Sequence, residues 1–396
     1  MKKSKLVLAY SGGLDTSYSL RKLSQENYQV HAVSVNTGGF SKSELKTIEE
    51  KAYQMGAFTY QNIPALDSFY ERIVKYLIYG NVLKNNTYPL SVSAERLIQA
   101  VEIVQYAKKI EAQYIAHGST GAGNDQVRFD MIFQILAPEI QIITPIRDQQ
   151  LSREEEIDYL KTQGIEIPWE KVKYSINQGL WGTSVGGSET LTSEEPLPES
   201  AYPSPLKERN PQELKLEFQK GELTAINQEK GTPVQLIQKL QEIACNYAIG
   251  RDIHVGDTII GIKGRVGFEA AAPLILIKAH HLLEKHTLTK WQQYQKEQMA
   301  HFYGMQLHEG HYLDPVMRDI ESFFESSQKN VSGTVRVQLH PYRFELLGIK
   351  SPNDLMQVES GSYGEINKGW TAEEAKGFIK LTAHATKNYQ KLNTKS

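Results

Sequence analysis

Between Lys5 and Thr144 the chain alternates short apolar runs with longer stretches of helical period, and no other feature narrows the fold as much. Lys5 to Tyr10, Val30 to Val35, Tyr114 to His117 and Gln141 to Thr144 read as strands, and Ser43 to Met55 and Ala94 to Glu111 read as helices between them. Strands separated by helices close through right-handed crossovers into a parallel sheet covered on both faces. Ligands of such sheets bind at the carboxyl ends of the strands.

A chain of 396 residues is too long for one core, and two or three domains are expected. After Trp169 the texture changes: Ser184 to Pro205 is rich in Gly, Ser, Glu and Pro, lacks an apolar period, and reads as a linker or an active-site lid. Leu214, Leu216 and Phe218 then alternate with charged residues before Lys220-Gly221, and Leu223 to Ile226 resumes the pattern as a hairpin. Val335, Val337 and Leu339 alternate likewise, so the second half is expected to be an α+β domain. Near the end Thr371-Ala-Glu-Glu374 opens a helix by a capping-box pattern, with Phe378, Ile379 and Leu381 apolar, as a helix docking on another subunit would be.

Lysine plus arginine (44) nearly balance aspartate plus glutamate (46), so no basic field steers the molecule toward nucleic acid or an anionic membrane. The longest apolar stretch, Ala270 to Ile277, is far shorter than the roughly 20 residues of a membrane span, and MKKSKLVLAY runs straight into the first strand; a cytoplasmic location is expected. The single cysteine, Cys245, excludes an intramolecular disulfide and a multi-cysteine zinc site, and in the run Gln241 to Tyr247 it reads as a helix core residue. His280, His281 and His286 fall on an amphipathic helix and are expected to be solvated, not a metal cluster.

Chemistry enters with Ser11-Gly12-Gly13-Leu14-Asp15-Thr16-Ser17, directly after the first strand and before the helical pattern Tyr18 to Leu23. Paired glycines let the backbone approach an anion, and Ser11, Thr16 and Ser17 supply hydroxyls at a helix amino end, where the dipole also favours negative charge. Pyrophosphate suits this loop; an ordinary strand-to-helix turn is the alternative. No G-x-x-x-x-G-K-[ST] is present, so the loop is not the one that holds β and γ phosphates for phosphoryl transfer. A second glycine-punctuated run, His117 to Phe129, follows the strand at Tyr114 and should open on the same crevice. Within it Asn124, Asp125 and Arg128 can hold a zwitterion, with Asp125 matching an ammonium and Arg128 forking a carboxylate, or Asn124 and Asp125 merely cap the next helix.

The first loop resembles the S-G-G-x-D-[ST] loop of the ATP pyrophosphatase superfamily, which cleaves ATP between the α and β phosphates. Ala116-His-Gly-Ser-Thr-Gly-Ala-Gly-Asn-Asp-Gln-Val-Arg-Phe129 is very similar to the matching stretch of argininosuccinate synthases. The resemblance continues in Ser175 to Ser184, Leu216 to Gly221, Gly250-Arg251, Ser332 to Arg336 and Gly377 to Ile379, nearly the whole chain. It implies an α/β fold: a parallel-sheet nucleotide-binding domain of the adenine nucleotide α-hydrolase type over 1–168, an α+β synthetase and multimerisation domain over 169–360, and a C-terminal oligomerisation helix over 361–396.

It also implies an ATP-dependent ligation of citrulline and aspartate in arginine biosynthesis: the ureido oxygen attacks the α phosphorus, pyrophosphate leaves, and the aspartate amine displaces AMP. Carried over position by position, Ala9, Tyr10, Ser11, Gly12, Gly13, Leu14, Asp15, Thr16, Ser17, Val35 and Gly118 surround ATP. Thr120, Asn124 and Asp125 hold aspartate; Tyr88, Ser93, Asn124, Arg128, Ser175 and Ser184 hold citrulline, with Arg128 on its carboxylate. Magnesium accompanies ATP through the phosphates. Adenylation supplies the leaving group, so no catalytic base is assigned. A homotetramer is implied, with no nucleic acid or membrane partner.

Departures gather where the family reads citrulline. Gly256 stands where the family has a glutamate that meets the α-ammonium, Phe268 where it has a tyrosine, and Val185-Gly186-Gly187 replaces a stretch that usually holds another glutamate; Ala122 replaces a lysine. A buried ammonium without its carboxylate costs several kcal/mol. An Nα-acylated citrulline, such as an acetyl or succinyl derivative, has no ammonium to satisfy. Alternatively a neighbour such as Asp257 takes over, or the register is off by a residue. The rival activities are another adenylating ligase of the superfamily, which one cysteine fits poorly, and a non-catalytic nucleotide-binding regulator.

Overall fold

The computed structural model describes residues 3–165, 174–357 and 369–393. Trp169 and the expected domain junctions at 168/169 and 360/361 lie outside these residues.

The first sheet is parallel, built from β1 (Ser4–Ala9), β2 (Tyr28–Asn36), β3 (Thr59–Pro64), β4 (Tyr114–Ala116) and β5 (Gln141–Ile143) in the order β3-β2-β1-β4-β5. β1 is buried on both faces because its side chains alternate between two apolar clusters. Leu6 and Leu8 pack with Leu20 and Ile48, while Val7 packs with Leu97 and Val101. β3 was not among the expected strands: TYQNIP is half-buried at four positions and exposed at Gln61 and Pro64, and it pairs only with β2, as an edge strand does. Because β2 and β4 flank β1 on opposite sides, the crevice between the carboxyl ends of β1 and β4 is the switch point of the sheet.

The strands of the second half follow: β6 (Ser175–Gly179), β7 (Gly182–Gly186), β8 (Gln212–Gln219), β9 (Glu222–Ile226), β10 (Glu229–Lys230), β11 (Arg251–Asp257), β12 (Lys263–Glu269), β13 (Gly333–His340) and β14 (Arg343–Lys350). β6, β7, β12 and β11 form one antiparallel sheet; β8, β9, β10, β13 and β14 form another, including the expected hairpin and the expected strand at Val335. Ala271–Thr287 is a helix whose buried residues Ile275, Leu276 and Leu283 join the cluster that reaches back to Val7 in β1. One apolar core thus ties the two halves together around the crevice.

Three expectations change. Ser184 to Pro205 is neither linker nor open lid. Part of it is β7, and the rest is fastened over Val185 by Leu197 and Ala201 while the Arg265 guanidinium donates to the carbonyls of Glu189, Thr192 and Glu195. His280 is not solvated: it is fully buried, bonded to Asn81 Oδ1 at 2.7 Å and Gln328 Oε1 at 2.8 Å, and burial pushes it down to about 4. Cys245 ends its helix half-buried, bonded to the Glu242 carbonyl, not in the helix core. The capping box at Thr371 is present, and the helices Ala372–Thr382 and His384–Asn393 bury no residue, leaving Phe378, Ile379, Leu381 and Leu392 exposed. Among the described residues no helix is long and apolar enough to cross a membrane.

Candidate active site

The loop after β1 ends on Gly13, the N-cap of the helix Leu14–Ser24, with no side chain capping the helix, so its amino end faces the crevice. Gly12 has φ +75°, which the turn needs from a glycine. The Ser11 and Thr16 hydroxyls lie 3.3 Å apart and Gly13 N donates to Ser11 Oγ at 3.4 Å, so the loop holds its own shape. Ser17 differs from expectation: its hydroxyl is buried 3.4 Å from the Tyr10 hydroxyl, behind the crevice. Gly12 also lies behind, its carbonyl accepting from Lys51 Nζ at 3.0 Å. Gly118, after β4, approaches so closely that a Cβ there would meet the Asp15 carbonyl carbon at 3.1 Å; a glycine lets the two loops abut.

In the second loop, Asn124 does not cap the helix Asp125–Leu136 with its side chain; its Oδ1 accepts from Ile259 N at 2.9 Å, tying the loop to the β11–β12 turn. The Asp125 carboxylate accepts from Arg96 Nε and from Arg128 Nη1, both at 2.9 Å. Arg128 does not present a free fork: its Nε and Nη2 donate to the His308 carbonyl at 3.0 and 2.9 Å. Burial resists ionisation of Asp125, but the Arg96 and Arg128 charges outweigh it and hold the carboxyl below its ordinary range. His117 takes part from below: Nδ1 accepts from Ser119 N at 3.2 Å and Nε2 lies 2.8 Å from Asp130 Oδ1, which fixes the loop on β4.

Both loops open on one cleft of about 1160 Å³. Of the residues expected to bind ligand, all but Gly12 and Ser17 line it. Tyr88, Ser93, Ser175 and Ser184 gather at its far end beside Gly256 and Gly264, which face each other across β11 and β12. Family-model comparison assigns residues 5–166 to the arginosuccinate synthase N-terminal HUP domain and residues 174–389 to the arginosuccinate synthase C-terminal domain. The chain belongs to the argininosuccinate synthase family. It is 38% identical over 378 residues to the argininosuccinate synthase of Methanocaldococcus jannaschii, covering 94% of this chain and 95% of the relative. To that of Xanthomonas campestris pv. campestris it is 34% identical over 405 residues (99% and 100% covered), and to that of Pyrococcus furiosus 38% over 384 residues (95% and 92%). The chain is accordingly an enzyme of the ligase class.

Within this family frame the departures at the far end acquire geometry. Gly256 faces the cleft, since a Cβ there would meet His254 Nε2 at 2.7 Å, and His254 stacks on Tyr88 with ring centroids 5.1 Å apart. Asp257, next along the strand at its end, also lines the cleft. Its side chain is 65% exposed and paired with Lys263 at 2.5 Å, so its carboxylate already has a cationic partner. Phe268 is fully buried beneath the cleft, opposite Ser184 and against the Tyr88 ring. A Cβ on Gly186 or Gly264 would find its nearest neighbour at 3.9 or 3.6 Å, so both positions leave room, whereas one on Gly187 would strike the Tyr174 ring at 2.6 Å. His308 beside Arg128 is pushed down to about 3 by burial and then by that charge, so this end presents neutral rings, and the Asp257 carboxylate on the cleft wall is taken up by Lys263.

Two residues of the cleft escaped the sequence reading. Arg96 reaches Asp125, Gln99 Oε1 at 2.9 Å and Asn177 Oδ1 at 3.1 Å, one helical turn after Ser93 on the helix Ser91–Lys109; that spacing was the available signal. Its neighbour Glu95 is buried, with Oε2 accepting from the Thr37 hydroxyl at 3.2 Å and Oε1 against Gly179, where any side chain would collide. Burial pushes this carboxyl up to about 8 against the opposing Arg96 charge, so it is a neutral acid at pH 7.

Proposed function

We propose that the chain joins citrulline to aspartate through a citrullyl-AMP intermediate. The observation that carries this is the meeting of the phosphate loop and the Asn124–Asp125–Arg128 cluster on one cleft at the sheet's switch point. ATP, taken as its magnesium complex, lies along Ala9 to Ser17, Val35 and Gly118, with its phosphates at the amino end of the helix Leu14–Ser24. The ureido oxygen forms a bond to the α phosphorus and the bond to the β-phosphate bridge breaks, releasing pyrophosphate. The aspartate amine then bonds to the ureido carbon, the carbon–oxygen bond to AMP breaks, and AMP leaves with the electron pair. Thr120, Asn124 and Asp125 hold aspartate, and Tyr88, Ser93, Asn124, Arg128, Ser175 and Ser184 hold citrulline. The protein's contribution is orientation and fixed charge. Citrulline labelled with oxygen-18 on the ureido oxygen tests the intermediate: the label is expected in AMP, and unlabelled AMP overturns it.

A second reading concerns the citrulline α-nitrogen. Gly256 offers no carboxylate to the cleft, the Asp257 carboxylate that lines it is paired with Lys263, and Gly186 and Gly264 leave space. These observations favour an Nα-acylated citrulline, which needs room and no anionic partner. The exposed apolar residues of the helices from Ala372 support a homotetramer in which this arm, as a separate 361–396 unit, covers another subunit. The activity is assigned to the cytoplasm.

A further inference from the structure

The helix Arg153–Thr162 lies against the helix Leu14–Ser24, with Tyr159 packed edge-on to Tyr18 at 4.9 Å between ring centroids. On its inner face Glu156 is 2% exposed, and its Oε2 is buried without a hydrogen-bond donor among the described residues. What faces it is the carboxyl group of Asp15, in the phosphate loop and on the wall of the cleft. Two carboxylates are acceptors only, and neither can satisfy the other unless one carries a proton. Arg153, one turn before Glu156, also lines the cleft.

We propose that Glu156 is a positioning residue for the phosphate loop: it shares a single proton with Asp15, steadies that carboxyl group, and keeps a second negative charge away from a bound triphosphate. The inference rests on the reading above that ATP lies along this loop. Burial pushes the Glu156 carboxyl up to about 8, the Asp15 charge adds to this, and Arg153 opposes it; burial raises Asp15 as well. The groups around the pair are Asp15 and the Tyr18 hydroxyl on one helix and Arg153 on the other. On the neighbouring helix Pro145–Gln149, Arg147 is held by Asp130 and Asp148 by Thr144. A bound triphosphate adds negative charge beside the pair and so favours its protonated form. Above the pair's pKa the proton is lost, two carboxylates face the phosphates, and ATP binding weakens.

Pyrophosphate release with ATP varied, at saturating co-substrates between about pH 6.5 and 8.8, reads this directly. The wild-type KM for ATP is expected to rise roughly tenfold toward the alkaline end, as a one-unit shift of the pair on binding requires, with kcat changing less. Glu156→Gln keeps the shape and cannot ionise, so its KM is expected to stay flat across that range. A merely structural Glu156 would leave the wild-type slope in the variant, and that result overturns the proposal. Should Glu156→Gln fail to fold, calorimetry of ATP binding by the wild type in buffers of different ionisation enthalpy decides the matter: uptake of part of a proton near pH 8 supports the proposal, and no uptake overturns it. Absence of pyrophosphate release at every pH would be the failure of the ligase reading instead, and the calorimetry would still judge the pair.

Discussion

Replacing Asp125 by Asn isolates the charge at the centre of the cleft. The Asp125 carboxylate accepts from two guanidiniums, of which Arg128 is 4% exposed and Arg96 18%, while the Asp125 side chain itself is 35% exposed. Removing one partner of a fully buried ion pair costs about 3–5 kcal/mol. Here partial exposure and the acceptors left to the arginines, the His308 carbonyl, Gln99 and Asn177, reduce that to roughly 1–3 kcal/mol of stability. The catalytic loss is separate. A charge-assisted hydrogen bond to the aspartate ammonium contributes about 1.5–3 kcal/mol, so kcat/KM for aspartate should fall roughly 10–150-fold. Steady-state pyrophosphate release with aspartate varied measures the second effect, and a denaturant midpoint measures the first. A folded Asp125→Asn protein with unchanged kcat/KM for aspartate would refute the role given to this carboxylate.

Glu95→Gln tests the buried acid. Its folded pKa of about 8 lies above the ordinary 4.5, so its contribution is full below pH 4.5 and is lost as pH rises through 8; the variant should therefore lose less stability than the wild type between those limits, as read by denaturant midpoints across pH. Gly256→Glu should raise kcat/KM for free citrulline and lower it for Nα-acylated forms. Because the new Cβ would meet His254 Nε2 at 2.7 Å, the single change should also destabilise by about 1–3 kcal/mol, partly relieved by a second His254→Ala substitution, seen in thermal unfolding. Truncation after residue 357 removes the exposed helices and should lower the oligomer mass in light scattering; an unchanged mass would count against the arm.

The parallel sheet was legible because β1 and β2 are buried on both faces and therefore read as short, mostly apolar runs. β3 was not, since an edge strand of mixed half-buried residues carries neither a run nor an alternation. The two glycine loops announced themselves because close backbone approach demands glycine at fixed places, as Gly12 and Gly118 illustrate. What stayed hidden depends on partners far along the chain. His280 is buried by Asn81, 199 residues away, and the stretch after Ser184 is fastened by Arg265. Arg96 and Glu95 looked like ordinary helix charges until Asp125 and Gly179 were brought to them. Ser17 shows the converse: the motif places it in the phosphate loop, and helix packing sets its hydroxyl against that of Tyr10.

The central claim is that this cleft adenylates a citrulline and passes it to aspartate. Pyrophosphate release by the purified protein with ATP, magnesium and aspartate, comparing L-citrulline with its Nα-acetyl and Nα-succinyl derivatives, tests it most directly. Release that depends on one of these ureido compounds is the predicted result, and release greatest with an acylated form is what the second reading adds. Equal or greater release with free citrulline would contradict the acyl reading while leaving the ligase chemistry in place, and ATP binding without release for any of the three would contradict the ligase itself.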